Sequence, residues 1–136
     1  MTIVEAARSC LGVKFRHRGR SQYSLDCAGL VWRAYHLCGV DLPDFRLYSK
    51  EPSAHGPGLT DYVKEALGEP ISDPLQSGDV LILRFEREPH HMAIVGTYPY
   101  GGLSLIHACG HNGRVIEHRL SDKHVQRITS VFRRPV

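Results

Sequence analysis

The order of periodicities along the chain predicts an α+β domain, with helices first and a five-stranded antiparallel sheet after them. Three observations lead there. Apolar residues recur at three- and four-residue steps through residues 3 to 11 and again from 26 to 38. From residue 79 onward the period changes to two. Turn-forming Gly, Pro and Asn clusters separate the later segments, and helices followed by a strand meander read as α+β. The 136 residues suit a single domain, 1–136.

In the first helix Ile3, Val4, Ala7, Cys10 and Leu11 share a face, and Gly12 caps its end. Residues 13 to 25 are basic and polar and read as a loop. The second helix runs from Asp26, with Leu30, Val31, Ala34, Tyr35 and Cys38 on one side and Gly39 as its stop. Ser24 or Asp26 can cap it. Residues 41 to 58 hold Pro43, Pro52, Gly56, Pro57 and Gly58 and read as an irregular excursion. A short helix over 60 to 67 turns Val63 and Leu67 inward. Five strands follow: 79–85, 91–97, 103–109, 114–120 and 128–132. Asn112-Gly113 marks a tight hairpin between the third and fourth.

Composition excludes more than it assigns. Net charge is +3, from 17 basic and 14 acidic residues. Only Lys14 to Arg20 clusters, and it lacks the helix period of a nucleic-acid surface. No apolar run reaches the length of a membrane span. Glu5 and Arg8 interrupt the N-terminal apolar stretch, so it does not read as a signal peptide. Cys10, Cys27, Cys38 and Cys109 show no C-x-x-C spacing and read as thiols.

Cys27 is the strongest nucleophile candidate. It falls in the first turn of a helix, where unpaired N–H groups and the macrodipole favour negative sulfur. The same N–H groups would face an oxyanion formed there. Ala28 and Gly29 leave the neighbouring surface open. Cys10 and Cys38 lie on apolar helical faces and read as structural thiols. A thiol needs a base, and His91 and His107 sit in successive strands. Pairing with residue numbers summing to 200 makes them diagonal neighbours on one face; an odd sum separates them. His90 competes with His91. A rival use of the same groups is zinc, held by His91, His107 and Cys109 with His111. His17, His36, His55, His118 and His124 have no partner legible in the sequence.

Six segments in order resemble the NlpC/p60 family of papain-like cysteine peptidases, which cut peptidoglycan stem peptides. They are Leu11-Gly-Val-Lys-Phe15, Leu25-Asp-Cys-Ala-Gly-Leu-Val31, Gly39-Val-Asp-Leu-Pro43, Ser77-Gly-Asp-Val-Leu81, His91-Met-Ala-Ile-Val-Gly96 and Leu105-Ile-His-Ala108. The resemblance implies Cys27 as nucleophile, His91 as base and His107 as the third polar residue, with the Cys27 N–H in the oxyanion site and no cofactor. The family's usual serine after the cysteine is Ala28 here. Its tyrosine about twelve residues earlier falls on Phe15, with Tyr23 as a possible substitute donor.

The resemblance further implies a peptidoglycan peptide substrate, cut between D-γ-glutamyl and the diamino acid. Without a signal peptide or wall-binding repeat, the chain resembles the wall peptidases of phage and gene-transfer-agent tails. It would be made in the cytoplasm, delivered by the particle to the periplasm or wall, and docked on tail-hub or baseplate proteins. Lys14 to Arg20 and Leu42 to Gly58 are the expected docking loops. The rivals are a non-catalytic tail-tip module of the same fold and a zinc hydrolase.

Overall fold

The computed structural model describes residues 1–44, 56–85 and 91–136. Among the described residues four helices and seven strands follow in order: α1 (Ile3–Ser9), β1 (Lys14–Phe15), β2 (Ser24–Leu25), α2 (Cys27–Leu37), α3 (Gly56–Leu67), β3 (Val80–Leu83), β4 (His91–Thr97), β5 (Leu103–Cys109), β6 (Arg114–Arg119), α4 (Asp122–Val125) and β7 (Ile128–Phe132). The expected α+β order holds.

The sheet corrects the expectation of five antiparallel strands. Its order is β2-β1-β6-β5-β4-β3-β7, and β1 pairs with β2 in parallel, so the sheet is mixed. The two added strands have two residues each and lie in the segment expected to be loop. Two residues cannot display a period of two, and only tertiary pairing through Lys14↔Arg114 and Phe15↔Leu25 makes them strands. The other five lie where alternation put them. Helix α3 starts four residues earlier than expected, at Gly56, because proline and glycine are tolerated in a first turn that lacks intrahelical N–H acceptors. Helix α4 is a single turn, too short for a periodic signal, and Ser121 caps it.

Alternation along the strands sorts the side chains into two layers. Val80, Ile82, Met92, Ile94, Ile106 and Ala108 pack under α1, α2 and α3, with Ala7, Leu30, Tyr35 and Val63. Leu81, Leu83, Ala93, Val95 and Leu105 form a second cluster on the opposite face, covered by Leu75, Phe85 and Leu120 among others. Helix α1 is tied to the sheet by Arg8, which makes a bidentate bridge to Glu117 on β6 and also donates to the Thr97 carbonyl. Ser104 completes that carboxylate from β5, at 2.6 Å.

The chain's last strand is clamped by Asp79. This fully buried carboxylate takes two hydrogen bonds from Arg133, at 2.7 and 2.9 Å, and one from the Gln76 N–H. The Tyr35 hydroxyl donates to the Arg134 carbonyl, and burial pushes its pKa up to about 12. No described helix is long and apolar enough to cross a membrane.

Candidate active site

Cys27 is the first residue of α2, and Asp26 is the residue that caps it. The Asp26 carboxylate accepts from the Gly29 N–H at 2.8 Å, the Arg18 N–H at 2.8 Å and the Arg20 guanidinium at 2.6 Å. Arg20 is buried and bridges onward to Asp44 at 2.7 Å. A short helix entry is thereby locked to the loop before it. The Cys27 N–H, at the first helical position, has no acceptor within the helix.

The smallness of Gly29 has a different reason from the one expected. A Cβ there would stand 2.0 Å from the Gly19 carbonyl oxygen and 2.9 Å from the Arg20 guanidinium. Gly29 lets the 16–20 loop lie against the helix; it does not open a surface to substrate, and both it and Ala28 are buried. Arg20 likewise leaves the basic docking segment, because it is consumed internally. Lys14, Arg16 and Arg18 remain exposed.

The register of β4 and β5 is Ile94↔Ile106, Val95↔Leu105, Gly96↔Ser104 and Thr97↔Leu103, each pair summing to 200. His91 and His107 therefore project from one face, the face of Ala93 and Leu105. Their rings meet: His91 Nε2 lies 2.8 Å from His107 Nδ1. Both are buried, and the edge of Phe85 closes on His91 at a centroid distance of 5.6 Å. Burial drives the His107 pKa down to about 3, with neighbouring His91, His118 and His124 adding to the effect, so this ring is neutral near pH 7. Helix α2 packs on both β4 and β5.

Sequence reasoning missed the continuation of this pair. His107 Nε2 lies 2.9 Å from His118 Nε2 on β6, and the His118 ring is 4.8 Å from that of His124 on α4. No pattern in one strand could reveal this, since each ring comes from a different element. The signal available was parity: His118 pairs with Leu105, two positions from His107.

Phe15 pairs with Leu25, two residues ahead of Cys27, and packs on the helix-side core. Tyr23 is 76% exposed. Cys10 is buried with its Sγ toward the Ala6 carbonyl, and Cys38 points to the Met1 carbonyl; burial raises both thiols. All four cysteines are free. Among the described residues no three His, Cys, Asp or Glu side chains converge as metal ligands. His91, His107 and His118 hydrogen-bond one another nitrogen to nitrogen, and His111 is exposed in the β5–β6 turn. His90 and His55 lie outside the described residues.

A search of curated protein sequences found no match. Solved structures show the same fold. The NlpC/p60 domain of the peptidoglycan hydrolase SagA superposes with a TM-score of 0.65 at 19% identity, over 97% of this chain and 96% of that one. NlpC1 from Trichomonas vaginalis gives 0.66 at 18%, covering 98% of this chain and 42% of that one. The peptidoglycan hydrolase RipB from Mycobacterium tuberculosis gives 0.60 at 19%, covering 98% and 63%. The NlpC/P60 family model matches residues 12–134, nearly the whole of the chain, and on that match the chain belongs to the NlpC/P60 family.

Proposed function

We propose that this chain is a cysteine peptidase that hydrolyses peptidoglycan stem peptides, at the bond between D-γ-glutamyl and the diamino acid. The observation that carries the reading is the buried His91–His107 hydrogen bond on the two strands that support the cysteine helix. A base imidazole held by a second polar group is what a thiol nucleophile requires. In this scheme Cys27 Sγ attacks the carbonyl carbon and its proton passes to His91. The Cys27 N–H stabilises the oxyanion. His91 returns the proton to the leaving amine, and water then hydrolyses the thioester.

Cys27 packs against the helix-side core, whereas the histidines project from the other face of the sheet. The reading therefore requires sulfur and imidazole to meet at the end of β4, where His91 is the first residue. Digestion of purified sacculi, with the fragments identified by mass, tests the function. Products ending in D-glutamate or D-isoglutamine, absent with Cys27→Ser, support it. Intact sacculi at high enzyme concentration would favour the non-catalytic module, a reading that the missing hydroxyl at Phe15 supports.

Delivery by a phage-like or gene-transfer-agent tail is the finer part of the proposal, with exposed Lys14, Arg16 and Arg18 as the docking face; most of the second expected docking loop, 42–58, lies outside the described residues. Mass spectrometry of purified particles should find a few copies together with tail-hub proteins. Recovery only as free protein from lysates would overturn it.

A further inference from the structure

A single peptide oxygen orders the row of histidines. His118 Nδ1 lies 3.0 Å from the Arg119 carbonyl oxygen, and a carbonyl can only accept. The hydrogen of neutral His118 therefore sits on Nδ1, and its Nε2 offers a lone pair. His107 Nε2, 2.9 Å away, must donate to it. Neutral His107 then has its lone pair on Nδ1, which faces His91 Nε2 at 2.8 Å. His91 must donate from Nε2, which leaves the lone pair of its neutral ring on Nδ1.

We propose that His118 is a positioning residue: anchored by the Arg119 carbonyl, it fixes the tautomer of His107 and through it holds the basic lone pair of His91 on Nδ1. The catalytic consequence rests on the cysteine-peptidase reading, whereas the tautomer order does not. With this order His91 can take a proton on Nδ1 while its Nε2–H bond to His107 stays in place. With the reverse order His91 carries hydrogen on Nδ1 already, and two rings must exchange protons before it can act as base. The arrangement is also compatible with the surroundings of the outer ring, since His124 turns its own Nδ1 to the Ser121 hydroxyl at 2.7 Å and leaves His118 Nε2 to His107.

Long-range nitrogen–proton correlation spectra of the uniformly nitrogen-15-labelled chain at neutral pH read each tautomer directly. Hydrogen on Nδ1 of His118 and on Nε2 of His107 and His91 supports the inference. Hydrogen on Nδ1 of His107 or His91 overturns it, whatever the activity. His118→Leu removes the acceptor and should give a mixture of His107 tautomers, with kcat on sacculus fragments falling about tenfold or more at unchanged KM. His118→Glu supplies an acceptor-only group and should restore both. A ring that served only to fill space would not be rescued by a carboxylate, and full activity of His118→Leu would overturn the positioning role. If the leucine variant does not fold, the wild-type spectra still decide. A wild-type chain that is inactive but shows the stated tautomers would remove the peptidase reading and leave the tautomer assignment supported.

Discussion

A methyl group on Gly29 would sit 2.0 Å from a backbone oxygen that has no freedom to retreat, because the Gly19 turn is itself held by Arg20 and Asp26. Gly29→Ala should cost about 3 kcal/mol through overpacking, read from the urea midpoint. The chemistry of the neighbouring Cys27 is tested separately. Alkylation by iodoacetamide should modify Cys27 first, because Cys10 is buried and its thiol raised. Replacing His91 by Ala should slow that reaction about a hundredfold, as followed by peptide mass mapping. Equal rates at Cys27 with and without the imidazole would remove His91 as base. At this scale much was legible. Cys27 follows a capping aspartate, and an even strand register brings His91 to His107. His118 and His124 were not legible, because their partners come from elements distant in sequence and a lone histidine carries no period.

The second helix is held chiefly at its entry. Asp26 caps it, pairs with Arg20 and receives the Arg18 N–H, while Arg20 reaches on to Asp44. Side chains of Asp26 and Arg20 are each only 4% exposed. Asp26→Ala removes the cap acceptor for Gly29 and one of the two carboxylates that pair with buried Arg20, so it should destabilise by about 3 kcal/mol. Asp26→Asn keeps the cap acceptor for Gly29 and should recover part of that loss. Denaturant melts of both variants provide the check, and equal stability of the alanine variant and wild type would mean the network is idle. Period alone located α1, α2 and the five long strands. It could not locate β1 and β2, whose two residues become strand only because β6 and the loop around residue 20 lie beside them. The buried role of Arg20 was hidden for a related reason: in sequence it is one more member of a basic run.

The whole molecule carries a buried neutral imidazole on the middle strand of its sheet, and that sets a dependence on acid. His107 ionises near its ordinary 6.5 when unfolded and at about 3 when folded, chiefly through burial. Below pH 6.5 the unfolded chain therefore binds a proton that the native ring refuses. Stability should fall as pH drops from about 6.5 towards 3, by at most about 1.4 kcal/mol per unit from this group, and level off below. Thermal melts of wild type and His107→Asn at matched pH should show a shallower slope in the variant. Parallel slopes would mean that the ring is already protonated in the native state.

The clamp on the last strand bears on how the chain is made. β3 is Val-Leu-Ile-Leu, all four residues buried, and one of its two neighbours is β7, whose residues 128–132 are synthesised almost fifty positions later. Until those residues leave the ribosome, β3 presents an unpaired apolar edge, the kind of surface that recruits strands from other chains. Asp79 waits as well, since Arg133 reaches it only after β7 has emerged. A nascent chain stalled before residue 133 is therefore expected to need a chaperone over this edge. Yield in a cell would then depend on how quickly translation carries residues 128–133 past the ribosome as well as on the stability of the folded domain.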